Sequence, residues 1–402
     1  MDGVRTARWI EKRETILDAG ARVLNRAGLS GLRLAEVAAE IGLRRPSIAY
    51  YFGNVEELAE ALYERALEQI DTRIEVASRE GSTRERIARF LDLELEHYAL
   101  ERRGEAVRRP QLGEIRALSL DRRRRLGAKY DGILRRLSAM LETADAEGGL
   151  ILQLGPAHFL MESVFWIPAW IDEYEEWMFE RVRDAMIETY LHGIRIRPST
   201  DARPSLVKLA ATTGPGVDRD AYLRAASRLL CDHGVRGMAI DMIAAELNVT
   251  KGSFYHHHTE KQELIEACFA QSEARLSEWQ RQASRRDLPP EDRVSAVLHS
   301  VVSNQLAGKF PLLRTSALPS VGAEDRAKII AQARRSFRWF ASEISAAVKS
   351  GGSASPDPFV AAQMIGAAAN ASYDLGRMYR GKISARDAPV FTLILECGAT
   401  AL

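Results

Sequence analysis

The chain of 402 residues is long enough for two or three domains, and its hydrophobic content of 46% is sufficient for packed cores. A formal net charge of +1 gives no overall attraction to nucleic acid, so any DNA contact has to come from local basic patches. The first residues lack the apolar segment of a signal peptide, and the most apolar stretch, residues 359–371, is shorter than the ~20 residues of a membrane helix. The three cysteines are widely spaced and fit no metal or redox motif. We therefore expect a cytoplasmic protein without a membrane segment.

One stretch of the sequence occurs twice. Residues 13–58 and residues 219–264 align without a gap at an offset of 206, and 13 of their 46 positions are identical. Because the offset is half the chain, the repeat predicts duplication of a whole protein rather than of a short motif.

Each copy has the pattern of a helix followed by two short helices. In the first copy, apolar residues recur at helical spacing up to Gly28, which predicts the end of the first helix. Gly42 permits a left-handed turn after the second helix, and Asn248, the next-best residue for positive φ, replaces it in the second copy. The third helix of the first copy is predicted to run from Arg45 to Tyr51. Two helices joined by a short turn, the second exposed and polar, predict a helix-turn-helix in each half.

The region after each copy has the pattern of a helical body. Predicted helices cover residues 55–78, 83–103, 261–285, 291–307, 324–349, 358–380 and 385–401, and another runs from about Tyr130 to near Gly148. Residues 196–217 contain Pro, Gly and Ser and are the expected linker. The basic run 121–125 is interpreted as a solvated face, and the aromatic-rich residues 156–194 are expected to pack against residues 357–402. Because no segment alternates with period two over a useful length, the predicted fold class is all-α.

The starts of the two third helices have a chemistry that suits DNA. They read Arg44-Arg45-Pro46-Ser47 and Thr250-Lys251-Gly252-Ser253. Free backbone N–H groups at a helix start bind phosphate, and a neighbouring Arg or Lys strengthens that binding. Ser, Arg, Lys and Tyr side chains also hydrogen-bond to phosphates or to base edges in a major groove. The same pattern also fits a helical hairpin with an ordinary solvated face.

At these residues the chain resembles the tetracycline-repressor (TetR) family of one-component bacterial regulators, whose recognition helix and following helix start read close to K-G-x-L-Y-x-x-F-x-x-K-x-x-L. The second copy matches at Lys251, Gly252, Tyr255, Lys261 and Leu264. The first copy matches at Ile48, Phe52 and Leu58, and departs at Pro46, at Ala49 in place of the family's phosphate-contacting Tyr, and at Val55 in place of its Lys. The resemblance implies a three-helix DNA-binding head, a helical ligand-binding body and dimerisation through the last helices.

The residues and the resemblance together define two sets of candidate site residues. The candidate DNA contacts are Arg33, Arg44, Arg45, Ser47, Tyr50, Thr250, Lys251, Gly252, Ser253, Tyr255, His256 and Lys261. The candidate ligand-pocket residues are Tyr98, His158, Trp166, Trp170, Asn304, Trp339 and Tyr373. No catalytic residue or cofactor is expected, because the chain has no nucleophile elbow, phosphate loop or dinucleotide motif. No metal site is expected either, since the consecutive residues His256, His257 and His258 point about 100° apart on a helix and cannot share one ion.

The sequence therefore predicts an all-α chain of two TetR-like units that form a pseudo-dimer. The predicted heads are residues 1–54 and 218–260, the bodies are residues 55–195 and 261–402, and the linker is residues 196–217. The predicted function is a ligand-responsive transcription regulator, a repressor, that binds an asymmetric double-stranded DNA operator and a largely apolar effector, with further homodimerisation left open. The alternative is a small-molecule sensor or protein-binding adapter that has lost DNA binding in one or both heads. The departures in the first copy and the neutral net charge favour that alternative.

Overall fold

The computed structural model describes residues 6–143, 147, 149–194, 217–249, 261–308, 310–313, 318, 321–353 and 355–399. Within these ranges the chain is helical, without strands, and has one isolated bridge between Arg380 and Ile383. The all-α prediction is confirmed. The expected linker, residues 196–217, lies outside the described residues except for its last residue, which begins a helix.

The helices fall into two series, one in each half of the chain. The first half contains α1 (Ala7–Gly31), α2 (Leu34–Glu40), α3 (Arg45–Ala49), α4 (Val55–Ala77), α5 (Thr83–Arg102), α6 (Leu120–Met140), α7 (Leu150–Trp166) and α8 (Phe179–His192). The second half contains α9 (Val217–Gly237), α10 (Ile240–Leu247), α11 (Lys261–Ser284), α12 (Pro290–Ala307), α13 (Ala323–Ser350), α14 (Pro358–Met378) and α15 (Ala388–Cys397). A 3₁₀ segment at Leu112–Ala117, which the sequence analysis did not predict, lies between α5 and α6.

The first head consists of α1, α2, α3 and the start of α4, which pack around a small hydrophobic core. Leu17 and Val23 of α1, Val37 of α2 and Leu58 of α4 are fully buried in one cluster. Each fully buried aliphatic side chain contributes roughly 1.5–3 kcal/mol relative to its exposed state, so the helical spacing of these residues accounts for the packing of the head. Gly28 takes a positive φ of 65° and ends the regular part of α1, although one further turn of helix follows it.

The centre of the molecule is formed by helices from both halves. α7 and α8 of the first half pack against α14 and α15 of the second, as the sequence analysis expected for residues 156–194 and 357–402. The segment Leu150–Ala169, and not residues 359–371, is long and apolar enough to cross a membrane by length and composition, with a mean hydropathy of 1.3. Because 72% of that segment is buried inside the protein, packing against α6, α14 and α15 accounts for its apolar composition.

The ends of α8 and α15 form a reciprocal backbone contact. The N–H of Ile194 donates to the carbonyl of Leu395 at 3.2 Å, and the N–H of Ala399 donates to the carbonyl of Tyr190 at 2.9 Å. Each of the two helices ends in a glycine, Gly193 (φ +74°) or Gly398 (φ +87°), where an added Cβ would collide with the backbone of the other helix end. The two halves thus contact each other in the same way at equivalent positions.

The basic run at residues 121–125 is only partly solvated, which corrects the sequence interpretation. Arg122 and Arg125 of α6 both pair with Glu60 of α4, and Arg122 also lies 3.4 Å from Glu56. Arg124, in contrast, is 70% exposed. The run therefore attaches α6 to α4 as well as facing solvent.

The close approach at Gly193 leads to a prediction about stability. Gly193→Ala is expected to lower the free energy of unfolding by clearly more than the ~1–2 kcal/mol that a left-handed backbone alone costs a residue with a Cβ, because that Cβ also collides with the Glu396 carbonyl. Gly381→Ala is the matched control, since Gly381 has a φ of +85° and nothing within 4 Å of an added Cβ. Urea denaturation of the three proteins measures the difference, and equal losses in the two variants would contradict the prediction.

Candidate nucleic-acid interface and cavities between the halves

The first head presents a short basic helix at its surface. Gly42 turns the chain with a φ of +66°, and α3 follows with Ile48 as its buried residue. Arg44 and Arg45 are exposed at the start of α3. The candidate contacts Arg44, Arg45, Ser47 and Tyr50 are thus all accessible, and Tyr50 is 74% exposed.

Aromatic and basic side chains connect the first helix to the end of α3. The ring of Tyr51 lies 5.4 Å from Trp9 and 5.2 Å from Tyr50. Arg33 is exposed, but its Nη1 donates to the carbonyls of Ser30 at 2.7 Å and Leu32 at 2.9 Å. These bonds use part of the guanidinium of Arg33 to hold the end of α1, whereas Arg44 and Arg45 have no such role in the turn.

The second head repeats the geometry of the first as far as the structure describes it. Asn248 takes the left-handed conformation with φ 53° and ψ 45°, so the predicted replacement of Gly42 by Asn is confirmed. An ion pair between the first and second helices is also repeated, as Arg22 with Glu40 at 3.4 Å and as Arg228 with Glu246. The candidate contacts Thr250, Lys251, Gly252, Ser253, Tyr255 and His256 lie outside the described residues.

The side chain of Lys261 bonds to backbone carbonyls within the second head. Its Nζ donates to the carbonyls of Val235 at 2.5 Å and Met238 at 2.6 Å, at the end of α9, and burial lowers its pKa. Two of its three donors are therefore engaged within the head. Val55 stands at the equivalent place of the first head, where Arg33 binds the carbonyl of Leu32 instead.

The 3₁₀ segment Leu112–Ala117, which we call the wedge, contacts both heads. The carboxylate of Glu114 accepts the N–H of Leu29 at 2.6 Å in the first head. Arg116 Nη1 donates to the carbonyl of Cys231 at 2.6 Å in the second head, and its Nη2 donates to Asp374 Oδ1 of α14 at 2.6 Å. Ala117 lies against Gly234 just as Glu114 lies against the equivalent Gly28. One segment of the first body therefore reaches the same position of both heads.

Two cavities lie beside the wedge. The smaller, about 210 Å³, is lined by Tyr98 and Trp166 among others, and the larger, about 600 Å³, is lined by Trp166 and Trp170 together with side chains of the second body. Arg108 and Gln111, just before the wedge, line both. Three of the seven candidate pocket residues are thus at cavity walls.

The other four candidate pocket residues line neither of these two cavities, and each of their side chains bonds to a neighbouring helix. His158 bonds Tyr130 at 2.9 Å, and Tyr373 donates to Asp232 of the second head at 2.9 Å. Asn304 accepts from Arg275 at 3.2 Å, and Trp339 Nε1 donates to Ser284 at 3.0 Å.

The wall of the smaller cavity carries ionised groups. Glu94 is buried and lies 2.8 Å from Arg109 and 3.0 Å from Arg73. Burial acts to raise the pKa of Glu94, but the Arg109 and Arg73 guanidinium groups outweigh it and hold that pKa below its usual value. Sequence reasoning missed this network, since its three members are distributed over separate helices and loops.

Two stretches of the chain, residues 16–62 and 223–268, match the model of the bacterial regulatory proteins of the tetR family. The chain carries two tetR-family domains in tandem. The tetR-family domains coincide with the two heads and the starts of α4 and α11.

Individual proteins resemble parts of this chain. It is 39% identical over 51 residues to the transposon Tn10 TetC protein of Escherichia coli, a match that spans 13% of this chain and about a quarter (26%) of TetC. Among solved structures, it is similar to AibR in complex with isovaleryl coenzyme A and operator DNA, with 21% identity and a TM-score of 0.36, over 44% of this chain and 97% of that chain. It is also similar to PfmR, a TetR family transcriptional regulator from Thermus thermophilus, with 18% identity and a TM-score of 0.34, over 43% of this chain and 97% of that chain.

The half-buried carboxyl of Glu114 predicts a pH-dependent stability. Burial raises the pKa of Glu114, while the bond from Leu29 and the nearby Arg236 oppose the rise. Because the pKa of Glu114 is raised in the folded state, its carboxyl contributes fully to the free energy of unfolding below its ordinary pKa of 4.5. That contribution is lost as the pH rises through the folded-state pKa. Glu114→Gln keeps an acceptor for Leu29, so it should be more stable than the unchanged protein at pH 7.5, by a margin that shrinks toward pH 4.5.

Urea denaturation across this pH range measures the margin for Glu114→Gln. Glu96→Gln is the control, because the Glu96 side chain is 64% exposed. A margin for Glu114→Gln that stays constant with pH would contradict the assignment.

Proposed function

We propose that the protein is a ligand-responsive DNA-binding transcription regulator, a repressor rather than an enzyme, that acts in the cytoplasm. The observation that carries the proposal is the exposed start of α3 in a tetR-family domain that occurs twice in the chain. Arg44 and Arg45 are accessible there, and Tyr50 is accessible at the other end of the helix. Such side chains at a helix start suit contacts with phosphates and base edges.

We infer that a single chain binds DNA as a pseudo-dimer, with two heads that differ in sequence. The shared centre of α7, α8, α14 and α15 and the reciprocal contact of Ile194 and Ala399 support a pseudo-dimer. Homodimeric helix-turn-helix proteins place their recognition helices about 34–36 Å apart, in successive major grooves. Because Arg44-Arg45-Pro46 and Thr250-Lys251-Gly252 differ in charge and backbone freedom, the two half-sites should differ in sequence.

We further propose that the effector binds between the halves and acts through the wedge. The larger cavity, about 600 Å³, lies within the roughly 300–1,000 Å³ typical of ligand pockets, and aromatic rings of both halves line it. A ligand against Arg108 or Gln111 would press on the chain that leads into the wedge, and so change the position of both heads. Such a ligand must prefer one arrangement of the heads in order to shift the equilibrium. Helices α4 and α11 would carry the change in parallel, and further homodimerisation stays a prediction.

Selection of bound duplexes from a random pool, at two salt concentrations, tests the function. The expected product is a site with two unlike half-sites about one helical turn, ~10 base pairs, apart. A single half-site would indicate that only one head binds. No enrichment at low salt would rule out the regulator and favour the alternative, a sensor or protein-binding adapter without DNA binding.

The contribution of the first head can be measured separately. The double variant Arg44→Ala, Arg45→Ala is expected to weaken binding to the selected DNA, and to reduce the slope of log affinity against log salt by about 1 for each lost phosphate contact. Arg124→Ala is the matched control, because Arg124 is a 70% exposed arginine on α6 and not on the recognition helix. An unchanged slope in the double variant would show that this helix does not contact the DNA backbone.

A further inference from the structure

Three potential metal ligands converge where the two halves meet. His158 and Glu162 lie one turn apart on α7, and Asp374 lies on α14 of the other half. One ligand atom of each lies within 4.8 Å of the others, and all three residues are buried, His158 completely. We propose that this cluster binds one divalent transition-metal ion, such as Zn²⁺ or Mn²⁺, through the His158 imidazole and the two carboxylates.

The geometry suits a three-ligand site. Residues four apart on a helix face the same side, so His158 and Glu162 can reach one ion together. Metal–ligand bonds to imidazole nitrogen and carboxylate oxygen are about 2.0–2.2 Å, so the ligand atoms of one tetrahedral ion lie roughly 3.4 Å apart. The three ligand atoms, which lie within 4.8 Å of one another, would therefore move inward when an ion binds. Because Asp374 comes from the second half, the site is complete only when the halves are packed together.

Neighbouring side chains orient two of the three ligands. The hydroxyl of Tyr130 bonds His158 Nδ1 at 2.9 Å, so an ion would be bound by Nε2. Arg116 donates to Asp374 Oδ1 at 2.6 Å and fixes that carboxylate. Outer contacts of this kind set the tautomer and the direction of metal ligands in proteins.

Charge and access also favour an ion. Buried carboxylates are costly unless they are paired or bind a metal, and Glu162 and Asp374 lie close together with the Arg116 guanidinium on Asp374. Both carboxylates line the cavity of about 210 Å³, which provides an entry path and room for water or a ligand at an open coordination position. A mixed nitrogen and oxygen ligand set suits first-row transition metals, whereas Ca²⁺ and Mg²⁺ prefer oxygen alone.

This metal site was not expected from the sequence. It does not depend on DNA binding, because the ion would be held within the body of the protein. A bound metal ion would nevertheless affect the position of the second head, since Arg116 bonds both to Asp374 and to the Cys231 carbonyl of α9.

The test is a metal titration of the full-length protein after treatment with a chelator. Zn²⁺ binding is measured by isothermal titration calorimetry, and Co²⁺ binding is followed by visible absorption, which reports the coordinating atoms. About one ion per chain is expected, with a rise in melting temperature on binding, because an ion that binds only the folded state stabilises it.

Variants of similar shape separate the proposed site from other metal binding. Glu162→Gln and Asp374→Asn keep a hydrogen-bonding oxygen but lose the charge, and Tyr130→Phe loses the bond to His158. Each is expected to weaken binding by roughly 10-fold or more. His97→Gln is the matched control, because His97 also pairs with a Glu four residues away, Glu101 at 3.0 Å, outside the cluster.

The consecutive histidines need a control of their own. The triple variant His256→Asn, His257→Asn, His258→Asn should keep the bound ion, since those residues are not part of the cluster. Failure of the folded, unchanged protein to bind Zn²⁺ or Co²⁺ would falsify the proposal. Binding that survives in Glu162→Gln and Asp374→Asn, or that disappears in the triple variant, would equally overturn it. Circular dichroism in chelator identifies any variant that has lost its fold.

Discussion

The arrangement of the two halves depends on the hydrogen bonds and the ion pair of the buried Arg116 guanidinium. It is 7% exposed and joins three parts of the molecule: the wedge, the end of α9 and the central helix α14. Removing one partner of a buried ion pair typically costs about 3–5 kcal/mol, because the other charge stays behind without compensation. The second head and the central helices are therefore linked through one buried side chain.

The two halves have kept their shared geometry and changed the residues that produce it. Gly28 and Gly234 take nearly the same φ, 65° and 66°, and each lies against the wedge. At the end of the first helix, however, Arg33 binds the carbonyl of Leu32 in one head, and Lys261 binds that of Met238 in the other. Both solutions place a cation where helix carbonyls lack partners, which is a favourable position for it. Lys261, a predicted DNA contact, thus also binds backbone carbonyls within its own head.

Because the two halves belong to one chain, they can place unlike side chains at their shared centre. In a symmetric dimer, any residue at the shared centre appears twice, whereas here α7 and α14 can change separately. The wedge is contributed by the first body and contacts both heads, and the cluster of His158, Glu162 and Asp374 takes two residues from one half and one from the other. The cavities are likewise lined by different side chains on their two sides. A single chain can thus hold one asymmetric site where a homodimer would hold two equal ones.

The sequence by itself determined the all-α class, the repeat, the boundaries of most helices and the turns at Gly42 and Asn248. These features depend on local spacing and on backbone conformation, which neighbouring residues control. It did not reveal the wedge, because Glu114 and Arg116 read as ordinary surface charges and a six-residue 3₁₀ segment has no periodicity. Nor did it show that Trp166 lines a cavity while Tyr373 binds Asp232, or that α6 pairs with Glu60. Only the tertiary structure decided these, since each depends on contacts between residues far apart in the chain, where burial and charge pairing, not local pattern, set the energy.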